Sequence, residues 1–330
     1  MTSPPLRVHI HNDASQDPSL FLSPEIFEKA LADHPALVGK VSATYGLACE
    51  PLPAAMADAE IMFTATKLSL KEARAHAPGL RWTQSMSAGI EAFLPGMPAD
   101  MILTNASGVH GEKGGEFVLA GALMLAYALP QFIADKMQEA WKPVYLPMLR
   151  DRTILVLGTG SIGTGSAQAL KSRGCHVVGF NSSGTHPAPF DEVIGLDGLD
   201  AALSRTDILV STLPLTPHTK LLIDRRRMGL LPAGAGVIVV GRADVLDYDA
   251  MVDLLYDGTL CGAVLDVFPE EPVSSGDRLW RTPRLVMTPH CSVDDHSHYL
   301  QSCLAIFLDN LERFTHGRPL RNVVDPSAGY

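Results

Sequence analysis

Arg242, Glu271 and His290 each stand at or just beyond an apolar run in the second half of the chain. Arg242 follows Val237-Ile238-Val239-Val240-Gly241, Glu271 closes the run that begins at Ala263, and His290 ends Leu285-Val286-Met287-Thr288-Pro289. An arginine fork matches a carboxylate or the carbonyl oxygen beside it. An imidazole exchanges protons near neutral pH. A carboxylate against its far ring nitrogen favours the protonated ring and fixes its tautomer. Together these supply what reduction of a 2-keto acid needs besides hydride: a cation for the substrate, an acid for the forming alkoxide, and a group that keeps the acid protonated. Singly, each has a bland reading as a surface ion pair, a solvated glutamate or a simple turn. Ligands of an open parallel sheet bind beyond the carboxyl ends of its strands, so three such residues on strand ends converge on one crevice.

A hydride source is legible upstream. Gly158-Thr159-Gly160-Ser161-Ile162-Gly163 follows the strand-like Thr153–Leu157 and opens a helical stretch, and a second strand, His176–Phe180, arrives on schedule. That is the context in which a G-x-G-x-x-G motif binds a dinucleotide. Gly158 permits the tight turn, Gly160 lets the backbone approach the pyrophosphate, and Gly163 lets the helix pack on the strand. Ser161 and Ile162 begin the helix whose positive end faces the phosphates. Beyond the second strand the chain reads Asn181-Ser182-Ser183-Gly184-Thr185-His186. The carboxylate that usually accepts from the ribose 2′-OH of NAD is missing there. Asn181, Ser182 and Ser183 could hold a 2′-phosphate instead. NADP(H) is therefore favoured, with NAD(H) open because no arginine or lysine stands in the turn.

The elements that must position these residues follow a regular rhythm from Thr153 onward. Strands are expected at 153–157, 176–180, 193–194, 207–212, 236–240, 262–267 and 284–288, with helices at 162–172, 198–205, 224–229 and 247–256. That alternation is the pattern of a doubly wound parallel sheet in an α/β fold. The first hundred residues read as a smaller α/β unit, with strands at 58–63 and 80–85 around a helix at 71–76. Glu116–Leu129 is apolar nearly all round, as a buried helix is, and Pro130 is expected to end it. His296–Phe314 reads as one long amphipathic helix.

Composition excludes several classes. The 330 residues carry a net charge of −10, which disfavours a nucleic-acid partner. The amino terminus lacks a long apolar core for a signal peptide, and no apolar run reaches the roughly 18–20 residues of a membrane span. Five cysteines without a C-x-x-C fit a reduced cytoplasmic protein; Cys291, next to His290, could line the site. No metal is expected. His9 and His11 share a strand face, and His296 and His298 lie near Asp294 and Asp295, but neither set brings the further ligands a metal needs. Arg225-Arg226-Arg227 reads as a solvated helix face.

These motifs in combination resemble the D-isomer-specific 2-hydroxyacid dehydrogenase family over roughly residues 80–330. The resemblance is carried by Asn105-Ala106-Ser107-Gly108-Val109 followed by Glu116, by Pro214-Leu215-Thr216-Pro217-His218-Thr219, and by Val239-Val240-Gly241-Arg242 through Asp247. Gly262–Phe268 with Glu271-Pro272, Thr288-Pro289-His290, Asn310-Leu311 and Asn322-Val323-Val324-Asp325 complete it. It implies two Rossmann-like domains with doubly wound parallel sheets, the cofactor in the interdomain cleft, and a homodimer. A substrate-binding lid domain is expected at 1–104 and 292–330, and a dinucleotide-binding domain at 105–291. The resemblance gives Arg242, Glu271 and His290 the roles argued above. It places Asp266 at the nicotinamide carboxamide and Leu213 and Pro214 near the adenosine, with Val240 and Gly241 also in the cofactor set. Ser87, Ala88 and Gly89, within Met86–Ile90, resemble the loop whose amides bind the substrate carboxylate.

Three positions depart from the family pattern: Ala243 stands where glycine is usual, Asp244 brings a carboxylate close, and Glu91 replaces an aspartate. The expected activity is NAD(P)H-dependent reduction of a small 2-keto acid, of the glyoxylate or hydroxypyruvate type, to the D-2-hydroxy acid. A larger branched or aromatic keto acid remains an alternative, as does a nucleotide-sensing, corepressor-like binding protein. Formate oxidation is disfavoured, because the resemblance implies glutamine where Glu271 stands.

Overall fold

The computed structural model describes residues 4–48, 52–182, 184–185 and 188–327; Cys49, Ser183 and His186 lie outside the described residues. The chain divides into unit 1, Met1–Val109 with Asp295–Tyr330, and unit 2, His110–Asp294. Both units are α/β, and each is built on an all-parallel sheet.

Unit 1 contains β1 (Leu6–Asn12), α1 (Pro24–Ala32), β2 (Val41–Leu47), β3 (Ile61–Thr64), α2 (Leu70–His76), β4 (Trp82–Ser85) and β5 (Ile102–Thr104). Its sheet runs β2-β1-β3-β4-β5. Ser23 and Ser69 cap α1 and α2 by accepting from Ile26 N and Glu72 N, which fixes where each helix starts. The carboxyl-terminal helix Tyr299–Thr315 returns to this unit and fills its core. Its Phe307 ring lies 4.8 Å from Phe63 and 5.4 Å from Trp82, centroid to centroid. The Trp82 indole N–H donates to Thr104 Oγ1 at 2.7 Å. The helix starts three residues later than its sequence pattern predicts, because Asp295 engages Ser297 and His298 in a turn ahead of it.

Unit 2 opens with α3 (Gly111–Ala126) and α4 (Leu129–Met137). It continues through β6 (Thr153–Leu157), α5 (Ser161–Lys171), β7 (His176–Phe180), β8 (Glu192–Ile194), α6 (Leu196–Leu203), β9 (Ile208–Ser211) and α7 (Arg225–Met228). The last elements are β10 (Gly236–Val239), α8 (Tyr248–Tyr256), β11 (Gly262–Leu265) and β12 (Leu285–Met287). The sheet order is β12-β11-β10-β9-β6-β7-β8. Strand residues alternate between two cores. Leu155, Leu157, Leu209, Val237, Val239 and Leu265 face one, and Ile154, Val156, Ile208, Val210, Ile238 and Val264 face the other. Helices cover both faces, so the strands are continuously apolar rather than alternating. Each fully buried aliphatic side chain contributes about 1.5–3 kcal/mol.

One expectation changes. Pro130 does not end the helical region. The chain turns at Ala128, which has φ +52°, and Pro130 sits in the first turn of α4. Proline lacks only an N–H that has no partner in a first turn, so it suits that position. The Arg225–Arg227 run is a paired surface: Arg226 and Arg227 bond Asp200, and Arg225 bonds Asp253. Among the described residues no single helix is long and apolar enough to cross a membrane, and no group of ligating side chains is arranged to hold a metal.

Candidate active site

All seven strands of unit 2 run the same way, so their carboxyl ends share one edge. The chain leaves β6 toward β7 on one side, while β9 lies on the other. At such a reversal of strand order the loops part and leave a crevice. The glycine loop sits there. Gly158 has φ +100°. A Cβ on Gly163 would lie 1.9 Å from Gly158 O, so α5 can close on the strand only without a side chain at that position. Around Gly160, by contrast, the described residues leave more than 4 Å of open space. The residue at the start of α5 is Gly160, which has no side chain of its own to cap the first turn. Open space at the middle glycine and a helix start without a capping side chain at Gly160 are what a pyrophosphate requires, so the loop fits a dinucleotide.

The neighbouring loops pack onto it. A Cβ on Gly158 would come within 3.2 Å of Leu213 Cδ2, and one on Gly241 within 2.5 Å of Leu213 O. Val240 N and Gly241 N both donate to Ser211 O. Leu213, Pro214, Val240 and Gly241 thus belong to the same edge as the glycine loop. At the end of β7, Asn181 Nδ2 donates to Thr159 Oγ1 at 3.0 Å and to Thr185 O at 2.9 Å. That places Asn181 and the exposed Ser182 beside the loop; Ser183 is outside the described residues.

Arg242 follows β10 and is half-buried, with Nη1 donating to Gly241 O at 3.0 Å. Glu271 and His290 meet directly: His290 Nδ1 lies 2.6 Å from Glu271 Oε2, while Glu271 Oε1 accepts from Phe268 N at 2.8 Å. The second bond locks the carboxylate. An ionised carboxylate only accepts, so the ring hydrogen sits on Nδ1 and Nε2 is left to exchange a proton. His290 has φ +50°, a left-handed conformation uncommon for a non-glycine residue. Tyr248, almost fully buried, donates its hydroxyl to Val267 O at 2.6 Å. Burial, reinforced by Glu271, Asp244 and Asp266, pushes its phenol far above the usual range, so it stays a neutral donor.

Asp266 is fully buried, and its carboxylate serves the segment that carries His290. Oδ1 accepts from Thr288 Oγ1 at 2.6 Å, Cys291 N at 3.1 Å and Ser292 N at 3.1 Å. Its carbonyl accepts from His290 N at 2.9 Å. Asp266 thus holds up the left-handed turn at His290, a structural role that sequence reasoning does not anticipate.

His110 was also not anticipated. It is 9% exposed, and its Nδ1 lies 3.3 Å from Val293 O and 3.4 Å from Asp294 Oδ1. Burial pushes its proton affinity below the usual histidine range. Asp294 and the Val293 carbonyl oppose that shift, and the charges of Arg242 and His290 add to it. Arg242 and His290 therefore both lie within electrostatic reach of one imidazole. The signal was adjacent in sequence: the motif Asn105–Val109 stops one residue short of it.

In unit 1, Ser87, Ala88 and Gly89 follow β4. Ser87 N donates to Ser85 Oγ at 3.0 Å, Ala106 N to Ser87 O at 3.2 Å, and Asn105 Nδ2 to Ala88 O at 3.1 Å. These bonds hold the loop in a defined shape.

Residues 119–292 match the family model described as D-isomer specific 2-hydroxyacid dehydrogenase, NAD binding domain. Glyoxylate/hydroxypyruvate reductase A of Salmonella newport is 27% identical over 255 residues, 74% of this chain and 80% of that protein. Two crystal structures are similar throughout. One is a D-isomer specific 2-hydroxyacid dehydrogenase from Xanthobacter autotrophicus Py2 in complex with NADPH and MES. It has a TM-score of 0.82 at 25% identity and covers 99% of this chain and 100% of that one. The other is an NADPH-dependent glyoxylate/hydroxypyruvate reductase from Sinorhizobium meliloti in complex with NADP and sulfate. Its TM-score is 0.78 at 27% identity, with 98% and 100% covered.

Proposed function

Because the chain belongs to the D-isomer-specific 2-hydroxyacid dehydrogenase family, we propose that it reduces a small 2-keto acid, of the glyoxylate or hydroxypyruvate type, to the D-2-hydroxy acid with NADPH. It is an NAD(P)-dependent oxidoreductase. The observation that carries the reading is the His290–Glu271 pair at 2.6 Å, with Glu271 locked by Phe268 N.

NADP(H), when bound on the glycine loop, supplies the hydride to the keto carbon. His290 donates the proton to the substrate oxygen from Nε2, while Glu271 holds Nδ1 and stabilises the ring before transfer. Arg242 binds the substrate and polarises its carbonyl. The backbone amides of Ala88 and Gly89 take the carboxylate, in a loop shaped by the Ser87 N–H bond to Ser85 Oγ. Asn181, Ser182 and Ser183 complete the cofactor set. The turn after β7 holds no carboxylate to repel a 2′-phosphate, and similar structures contain NADPH or NADP.

The protein acts as a homodimer in the cytoplasm. Support for self-association lies between Tyr127 and Met148, where Ile133 (56%), Met137 (80%), Trp141 (96%) and Tyr145 (91%) are exposed close together in sequence. Clustered large apolar side chains of this kind mark an interaction surface, and a second copy of the chain is the proposed occupant. Light scattering giving a monomer mass at micromolar concentration would refute this part.

A steady-state panel of keto acids, run with NADPH and NADH, tests the activity. Turnover of glyoxylate or hydroxypyruvate with NADPH preferred is expected. Tight cofactor binding without turnover on any keto acid would overturn the reading in favour of a nucleotide sensor.

A further inference from the structure

His110 occupies a junction within unit 2. It immediately precedes α3, whose first turns lie backbone against backbone on α5. A Cβ on Gly115 would come within 2.5 Å of Gly165 O, and one on Gly165 within 1.9 Å of Gly111 O. A Cβ on Gly111 would meet Ser161 Oγ at 2.7 Å. The start of α3 therefore cannot shift without moving the helix that opens at the glycine loop. On its other side His110 reaches Val293 and Asp294 through Nδ1. Those residues follow His290 directly, beyond the Cys291 and Ser292 amides that Asp266 holds.

We propose that His110 is a positioning residue for His290: its Nδ1–H, donated to the Val293 carbonyl with the Asp294 carboxylate 3.4 Å away, fixes the catalytic segment against the helix of the glycine loop. The chemical consequence rests on the reductase reading; the anchoring does not. The residue type is suited to the place. Burial opposes a second cation there, Arg242 and His290 add to that opposition, and Asp294 and the Val293 carbonyl offset only part of it. An uncharged imidazole still donates from Nδ1, whereas lysine or arginine would bring a fixed charge into the site.

His110→Ala and His110→Asn separate the anchor from the ring. Asparagine carries an amide nitrogen the same number of bonds from Cβ as Nδ1, so it keeps the donor and loses the imidazole. His110→Ala should lower kcat about tenfold, the scale of one hydrogen bond, with KM and the NADPH dissociation constant nearly unchanged. Hydrogen–deuterium exchange across residues 288–294 should quicken by about tenfold in the same variant. His110→Asn should restore both. Wild-type exchange in the alanine variant, or an asparagine variant no better than alanine, overturns the proposal. If the wild-type protein turns over no keto acid, the reductase reading falls separately. The exchange data then decide the anchoring alone: faster in alanine and corrected by asparagine upholds it, and any other pattern overturns it.

Discussion

Replacing His290 by glycine and by alanine should reverse the usual stability ranking of those two residues. Both changes remove the imidazole and its bond to Glu271. That pair is well exposed, at 44% and 34%, so its loss costs little and costs both variants alike. The difference lies in the backbone, which sits at φ +50°. A left-handed conformation costs an L-residue about 1–2 kcal/mol, and glycine nothing comparable. Against this, glycine loses about 0.5–1 kcal/mol more conformational freedom on folding than alanine. Taking the midpoints, the net expectation is that His290→Gly is the more stable by about 0.75 kcal/mol, or roughly 1.5–3 °C in unfolding temperature for a domain of this size. Reduction should fall by about 10²–10⁴ in both variants, the loss expected for a positioned acid, with NADPH affinity retained. Thermal unfolding of the two proteins side by side is the assay. An alanine variant as stable as the glycine variant would refute the claim that Asp266 and its neighbours impose the strained turn.

Glu271→Gln should lower kcat about tenfold by replacing the carboxylate that holds His290 Nδ1 at 2.6 Å; an unchanged kcat would contradict the pairing. In unit 1, burial, with His11 and His76 adding to it, pushes the His9 imidazole down to about 4 from 6.5. The unfolded chain then binds more protons between those values. The stabilising preference for neutral His9 is fully present above pH 6.5 and is lost as the pH falls toward 4, by on the order of 3 kcal/mol. Unfolding temperatures measured from pH 7.5 to 4.5 should drop more steeply in the wild type than in His9→Gln, and parallel curves would sink the assignment.

The inner strands of unit 2 were legible because they are apolar runs buried on both faces and bounded by turn residues, whereas the edge strands β8 and β12 are short and only half-buried. Thr153–Leu157 and His176–Phe180 match residue for residue. Arg242, Glu271 and His290 could be picked out because each follows an apolar run, and the structure brings His290 and Glu271 together. Three things were hidden. The turn at Ala128 leaves no mark in composition, so Pro130 looked like a stop. Asp266 reads the same whether it faces a cofactor or its own chain, and only coordinates reveal the Thr288, Cys291 and Ser292 donors. His110 gains its meaning from Val293 and Asp294, more than 180 residues away. Periodicity finds elements, but contacts at that separation follow from how loops return to a shared edge.

Phe307 completes the centre of a sheet whose strands all lie within the first 104 residues. On the ribosome, the amino-terminal segment must therefore wait for the last stretch of chain. At about 5–20 residues per second, that interval is on the order of 10–40 s. Unit 2, continuous from His110 to Asp294, has no such delay and can form while its companion is still missing a helix. A truncation that removes the final thirty or so residues would leave Phe63 and Trp82 without their covering ring, and the newly made protein open to aggregation although every strand had been translated.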